Sequence, residues 1–429
     1  MINIRPISIL SFSALLLLLP LAGQAHDREE SWQKINAPQQ ATVQVNGAER
    51  QIHPGCAFEG DDYAFYYKEG KSDKLAIFFN GGGACWDTNT CLISLNPPTD
   101  NIPPAYVPTD DIAHNDPTLH KGMFDFDNPE NEYADWSMLY LPYCTGDVHF
   151  GSKDTAYPTG PATSLTIRHR GFDNFLYARQ WLVNHIDAED GDSPRKVLVT
   201  GSSAGAYGAV LNYPYIKKSF PEAKGYLLAD AGSGVLTDSL IEDAMRGSTS
   251  AWNFDNNFAT WVPGLASVTG LDAPNFLPAV YSALTNHYPN DKFSQYSTVF
   301  DLIQVMFYNI MLNTDNPNLW IKEEVIAGLF NDWTSGMLMN SYTLAAAPNY
   351  RFFVAPGCQH TILRSNEMYN EDANTVAGIS FNEWFEDLTK GRKYKDSNDW
   401  NNLSCTDEGC LTTPLTPEIL ASCAFTPAQ

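Results

Sequence analysis

Positive charge is scarce in this chain. Lysine and arginine number 26 against 50 aspartates and glutamates, a formal net charge of −24 over 429 residues. A surface of that sign repels phosphate backbones and anionic lipid, so no nucleic acid and no anionic membrane is expected as a partner. It also weighs against a densely anionic polymer as substrate, unless the cleft itself is locally neutral. Charge of either sign is thin at 18%, while aromatics reach 13%, which describes a large packed core and not a disordered chain. After residue 25 no apolar run is long enough to span a bilayer. No Pro/Ser linker, low-complexity tract or internal repeat divides what remains. Short Cys-x-x-Cys pairs with histidines nearby are missing too, and with them the usual zinc frame. The acidic run Asp187–Asp192 lacks the spacing of an EF-hand loop and reads as a solvated loop. Neither a metal nor a cofactor is expected.

The first 25 residues carry one charge, Arg5, then the apolar run Ile7–Leu21, then Gly23-Gln24-Ala25. That is the layout of a secretory signal peptide cleaved before His26. Ser11, Ser13 and Pro20 interrupt the run too often for a spanning anchor. Residues 26–429 are then expected to form a single catalytic domain, secreted or periplasmic, monomeric and without a stable membrane anchor. Eight cysteines in an exported chain favour disulfides. Cys85/Cys91 and Cys405/Cys410 are close enough in sequence to pair locally. Cys56, Cys144, Cys358 and Cys423 are left for longer closures.

Short apolar strands recur at Ala64–Lys68, Lys74–Asn80, Trp136–Leu141, Val197–Val199, Gly225–Leu228 and Tyr350–Val354, with a further candidate at Ala41–Val45. Between them, Gly171–Ile186 has the apolar spacing of an amphipathic helix. Strands alternating with helices predict an α/β fold with a mostly parallel sheet flanked by helices, whose ligands sit beyond the carboxyl ends of the strands. After Val197–Val199 comes Gly201-Ser202-Ser203-Ala204-Gly205, the G-x-S-x-G pattern of a nucleophile elbow, followed by a small-residue segment able to start a helix. A serine on such a turn exposes its hydroxyl, and the flanking glycines remove side chains that would clash.

A serine hydroxyl is a poor nucleophile until a base takes its proton. Hydrolases with this elbow order their triad Ser, then Asp/Glu, then His, so the base must follow Ser203. Only His287 and His360 do so. His287 lies in a polar, turn-like segment and reads as a surface residue. His360 follows the strand Phe352-Phe353-Val354 and the turn Pro356-Gly357-Cys358, where a loop beyond a strand end would present it. For the acid, Asp230, Asp238, Asp255, Asp291, Asp301, Asp315 and Asp332 are all available, and spacing alone does not choose. Asp301 ends the β-rich run Tyr296–Phe300; Asp230 comes early for the usual layout, and Asp315 reads as turn chemistry. The oxyanion of acyl transfer needs preorganised donors. Ala204 N–H supplies one, and Gly81-Gly82-Gly83 after a strand fits the Gly-rich loop that supplies others. No G-K-[ST] follows those glycines, which argues against a phosphate loop.

Together these residues resemble the pectin acetylesterase family. Gly55-Cys56 to Tyr67-Lys68-Glu69 is similar to its cysteine-led opening strand. Phe79-Asn80-Gly81-Gly82-Gly83-Ala84-Cys85-Trp86 is similar to its oxyanion segment. Tyr143-Cys144-Thr145-Gly146-Asp147 resembles its Tyr-Cys turn, and His169-Arg170-Gly171 opens the helix before the elbow. Ala229-Asp230-Ala231-Gly232 follows the elbow, and Cys358-Gln359-His360 resembles the family's Cys-x-His. Phe300-Asp301-Leu302-Ile303-Gln304 resembles the segment that carries its catalytic acid, which selects Asp301. The resemblance implies an α/β-hydrolase-like serine esterase that releases short acyl groups without metal or nucleotide. The catalytic residues would be Ser203, Asp301 and His360, with an oxyanion hole of Gly82, Gly83 and Ala204. It also implies disulfides Cys85–Cys91, Cys56–Cys144 and Cys358–Cys423. Gly83-Ala84 stand where the family's animal lipid deacylases carry two aromatics, so their lipid pocket is not carried over. Met245–Asn290 departs from the pattern and is expected to supply lid and specificity. The expected substrate is an acetylated polysaccharide such as pectin, or a small ester. The alternatives are a longer acyl ester or lipid, and a catalytically silent glycan-binding protein. Ten tryptophans and 21 tyrosines would suit sugar stacking, but most are expected in the core.

Overall fold

The computed structural model describes residues 31–95, 104–109, 112–188, 193–371, 374–390 and 400–410. The expected signal peptide, most of the Asp187–Asp192 run and Cys423 lie outside them. Nine strands form the main sheet: β1 (Gln33–Ala37), β2 (Tyr63–Lys68), β3 (Lys74–Phe79), β4 (Ser137–Leu141), β5 (Lys196–Ser202), β6 (Lys224–Asp230), β7 (Lys292–Thr298), β8 (Tyr350–Ala355) and β9 (Leu403–Ser404). Their order across the sheet is β1-β2-β4-β3-β5-β6-β7-β8-β9. β2 is antiparallel to both of its neighbours, and every other pairing is parallel. This is the α/β-hydrolase arrangement.

The central strands look as they do because they are covered on both faces. In β3, β5 and β6 every residue after the leading lysine is buried, and the sequences run apolar without alternation. Helix Ala204–Ser219 packs on β3, β5 and β6, while helix Gly171–Ala188 packs on β1 and β4. Trp136, Trp252, Trp320, Trp333 and Trp384 are all fully buried, so these indoles are core and not platforms for sugar. The expected strand Ala41–Val45 exists but pairs with Ala48–Ile52 in a hairpin outside the main sheet. The edge strand β1 has mostly exposed, mixed-polarity residues and carries no periodic signal.

Three disulfides lie among the described residues: Cys56–Cys144, Cys85–Cys91 and Cys405–Cys410. The first ties the approach to β2 to the turn after β4, and the second closes the segment just beyond Gly83. The expected Cys358–Cys423 closure falls outside the described residues. No described helix is long and apolar enough to cross a membrane.

Candidate active site

β5 delivers Ser203 to a turn that few residues tolerate. Ser203 has φ 59° and ψ −124°, ahead of the helix that begins at Ala204. A non-glycine residue held there costs on the order of 1–3 kcal/mol and persists only when its surroundings fix it. Two contacts do so here. Ser203 N–H donates to Asp230 O at 2.8 Å. Gly205 lets the helix close on β3, since a Cβ at that position would stand 1.9 Å from Phe79 O.

His360 lies on the loop after β8, and Asp301 caps helix Leu302–Leu312 three residues beyond β7. Chain order and strand ends thus follow the elbow logic. The imidazole Nδ1 sits 2.9 Å from both carboxylate oxygens of Asp301, whose side chain is fully buried. Gln304 holds that carboxylate in place, its backbone N–H on Oδ1 and its Nε2 on Oδ2, each at 2.9 Å. Nε2 of His360 is buried and has no hydrogen-bond partner, and His360 and Ser203 line the same cavity. The geometry brings Ser203, His360 and Asp301 together at the carboxyl end of the sheet. His287 is exposed at the end of helix Ala273–His287, and Asp315 is exposed in a turn.

The glycine segment after β3 lies beside the elbow. Gly83 has φ 77°, and a Cβ there would stand 1.9 Å from Ala105 O, so only glycine fits. An isolated bridge pairs Gly83 with Tyr106, but its two hydrogen bonds fall on either side: Ala84 N–H to Ala105 O and Val107 N–H to Gly82 O. Among the described residues no other backbone group takes the N–H of Gly82, Gly83 or Ala204. Gly83 and Ala204 line the cavity wall.

The cavity is apolar and about 80 Å³ in volume, walled by Leu211, Trp252, Leu277, Phe307, Met311 and Trp333 among others. The expected specificity region, Met245–Asn290, contributes Met245, Trp252, Phe276 and Leu277 to that wall. Two polar atoms of wall residues are taken by backbone groups. Trp252 Nε1 donates to Cys85 O at 2.9 Å, and Gln304 Oε1 accepts from Ser233 N–H at 2.9 Å. Among the described residues, the one group of His, Cys, Asp and Glu near enough to share an ion is Cys85, Cys91 and His169, and its two sulfurs are bonded to each other.

Sequence reasoning set Asp230 aside as the acid, and the structure gives it another task. Its side chain is fully buried, accepting from Ser202 Oγ at 2.6 Å and from the backbone N–H groups of Ile362 and Leu363 at about 3.0 Å. Burial pushes its carboxyl above the usual range, and those donors offset part of the effect. Asp230 therefore ties the elbow to the loop of His360. Its place at the end of a strand, in the segment Ala229-Asp230-Ala231-Gly232, was the sequence signal for it.

The family described as pectinacetylesterase matches the chain over residues 39–240. Among solved structures, the Wnt deacylase Notum from Drosophila is similar at 16% identity, over 82% of this chain and 92% of its own, with a TM-score of 0.45. An esterase from Pyrococcus furiosus is similar at 12% identity, over 81% of this chain and 90% of its own, with a TM-score of 0.32. No curated protein matches the chain. The matched residues include the glycine segment, the elbow and the strand that ends in Asp230. The match covers residues 39–240, just under half of the chain, and marks that part as similar to the pectinacetylesterases, which supports an ester hydrolase.

Proposed function

We propose that this chain is an exported serine esterase that removes short acyl groups, acetyl first among them, from a carbohydrate such as pectin. Ser203 Oγ attacks the acyl carbonyl while His360 Nε2 takes its proton. The tetrahedral oxyanion is met by the N–H groups of Gly82, Gly83 and Ala204. His360 then returns the proton to the departing sugar hydroxyl, and water repeats the cycle on the acyl-enzyme. Asp301 holds the ring with Nδ1 protonated and stabilises the imidazolium. The observation that carries the reading is the pairing of His360 Nδ1 with buried Asp301 while Nε2 stays unpartnered in a cavity that Ser203 also lines. The disulfides fit an oxidising compartment, and residues 26–429 act in this reading as one catalytic unit.

The apolar cavity suits the acyl side of the ester and offers little to a sugar, so the alcohol half faces out of it. A volume of about 80 Å³ would hold on the order of five to eight waters, or a chain of a few carbons. That same apolar wall favours a second reading, a longer acyl ester. A p-nitrophenyl series from acetyl to octanoyl, run beside acetylated pectin and xylan, separates the two. Highest kcat/KM on acetyl, with acetate released from a polymer, supports the first reading. A maximum at octanoyl with no acetate released moves the assignment to the second.

A further inference from the structure

The peptide groups of the glycine segment are gripped from behind. In a trans peptide the C=O and N–H point in opposite directions across one rigid plane, so fixing a carbonyl aims the next residue's amide the other way. The Gly82–Gly83 peptide is held by a backbone donor, Val107 N–H on Gly82 O at 2.9 Å. The Gly81–Gly82 peptide is held by a side chain: His114 Nε2 stands 3.1 Å from Gly81 O. A carbonyl only accepts, so Nε2 carries the proton. The other nitrogen, Nδ1, faces Arg364 Nη1 at 3.5 Å, a group that only donates, which calls for the same tautomer. Burial, and then the Arg364 charge, push the His114 imidazole down to about 4, which keeps it neutral.

Arg364 sits four residues after His360 on the same loop. It also donates to Asn80 Oδ1 at 2.9 Å, and Asn80 Nδ2 donates in turn to His114 O and Asn115 Oδ1, both at 2.8 Å. One hydrogen-bonded chain therefore runs from the His360 loop through Arg364 and His114 to the glycine segment.

The geometry points to His114 as the positioning residue of the oxyanion site, its Nε2–H fixing the Gly81–Gly82 peptide so that Gly82 N–H faces the developing oxyanion. Arg364 carries that placement over from the loop of His360. The inference rests on the serine-esterase reading of the site. A hydrogen bond accepted by the carbonyl also polarises the peptide and strengthens its N–H as a donor.

The test compares His114→Leu, which removes the donor, with His114→Gln, whose amide nitrogen can reach Gly81 O. Two rates are measured: kcat and KM on p-nitrophenyl acetate, and labelling of Ser203 by a fluorophosphonate, which needs the oxyanion donors but no ester. Losing a whole oxyanion donor costs about 10²–10³ in kcat, so misaiming one in His114→Leu is expected to cost about tenfold or more. KM should hardly move, labelling should slow in step, and His114→Gln should recover most of both rates. If His114→Leu does not fold, His114→Asn, whose shorter amide falls short of Gly81 O, replaces it with the same expectation. Equal rates in the Leu and Gln variants, or a loss confined to KM, overturn the inference. A wild-type protein labelled at Ser203 but inert on acetate esters ends the substrate reading alone, and the labelling rates still judge His114. A wild-type Ser203 that resists labelling overturns both.

Discussion

Asp301 and Phe307 stand on one short stretch of chain, at the cap and along the body of helix Leu302–Leu312, yet they serve the site in opposite ways. Asp301 spends both oxygens on named donors, from His360, the Gln304 backbone and the Gln304 side chain. Phe307 joins an apolar wall in which the Trp252 indole and the Gln304 amide oxygen are already taken by backbone groups. The polar side is over-determined, because a buried polar atom left unpaired costs about 1–3 kcal/mol, so each must be placed. The apolar side is held only by packing, which tolerates changes of shape far better. Chemistry should therefore fail sharply under substitution, and specificity should drift.

The sharpest break is at the nucleophile. Ser203→Ala should fold and keep its thermal midpoint while losing on the order of 10⁶ in turnover, since removing a triad serine alone costs nearly as much as removing the whole triad. Titrating the purified variant with p-nitrophenyl acetate checks it, and more than a tenth of wild-type activity, well above that expectation, would sink the elbow assignment. Next comes the acid. Asp301→Asn keeps the shape but turns a donor towards Nδ1, favouring the wrong tautomer, and should cost about 10⁴-fold. Asp315→Asn, exposed in its turn, is the control, and a greater loss there would transfer the role of acid.

The two sides also differed in how far they could be read from sequence. The elbow, His360 and the glycine segment were legible because each needs a residue type that little else can replace. Gly205 must be glycine against Phe79 O, and Gly83 against Ala105 O. Asp230 was not legible as a tie between loops, because its partners on the His360 loop are backbone N–H groups over 130 positions away. His114 looked like any polar loop residue for the same reason. The cavity wall was invisible for another: Leu211, Trp252, Phe307 and Trp333 have the composition of ordinary core, and only the fold gathers them. The mostly parallel sheet was legible in the apolar runs that such pairing requires, whereas β1, with its polar and exposed residues, left no pattern to find.

A milder break on the polar side is Asp230→Asn. One oxygen remains to accept from the His360 loop, but an amide NH₂ now meets Ser202 or a backbone donor. Stability should fall by about 1–3 kcal/mol, the range for a buried group left unpaired, with turnover of the folded protein changing much less than in Asp301→Asn. Denaturant midpoints measured beside kcat test it, and a kcat loss matching that of Asp301→Asn would make Asp230 part of the chemistry.

Acid should loosen this same side before it touches the wall. His149, whose Nε2 donates to Asn80 O at 2.8 Å, and His169 are both pushed down to about 4 by burial. In the unfolded chain they titrate near an ordinary value of about 6.5. Between those limits the unfolded state binds more protons, so their contribution is present above pH 6.5 and is lost as pH falls towards 4. Asp147, pushed up to about 6 by burial, works against them in part of that window, binding its proton in the folded state. Asp230 and Glu132, also raised by burial, act in the same sense as Asp147. His114, held down to about 4, and His120, pushed lower still by burial, join the other side, so four imidazoles stand against these three carboxyls. The thermal midpoint should therefore drop steadily from pH 7 to pH 4.5. A flat profile would mean that these imidazoles are not neutral in the fold.

The smallest and most selective effect belongs to the wall. Phe307 borders the cavity beside Gly83, where a Cβ would come within 3.1 Å of its ring. The ring therefore limits how far an acyl chain can extend past the oxyanion segment. Phe307→Ala lengthens that space without touching a hydrogen bond. One added or lost methylene in an apolar pocket is worth about 1–3 kcal/mol of discrimination, roughly 10–200-fold. The ratio of hexanoyl to acetyl kcat/KM should accordingly rise by about tenfold or more, with kcat on acetate falling only modestly. The acid-dependent loss of stability should keep its wild-type slope, since no imidazole has changed surroundings. Measuring the acyl series and the pH series on one preparation sets the two sides against each other. An unchanged acyl ratio would show that chain length is limited elsewhere, and a changed pH slope would show that wall and polar network are coupled after all.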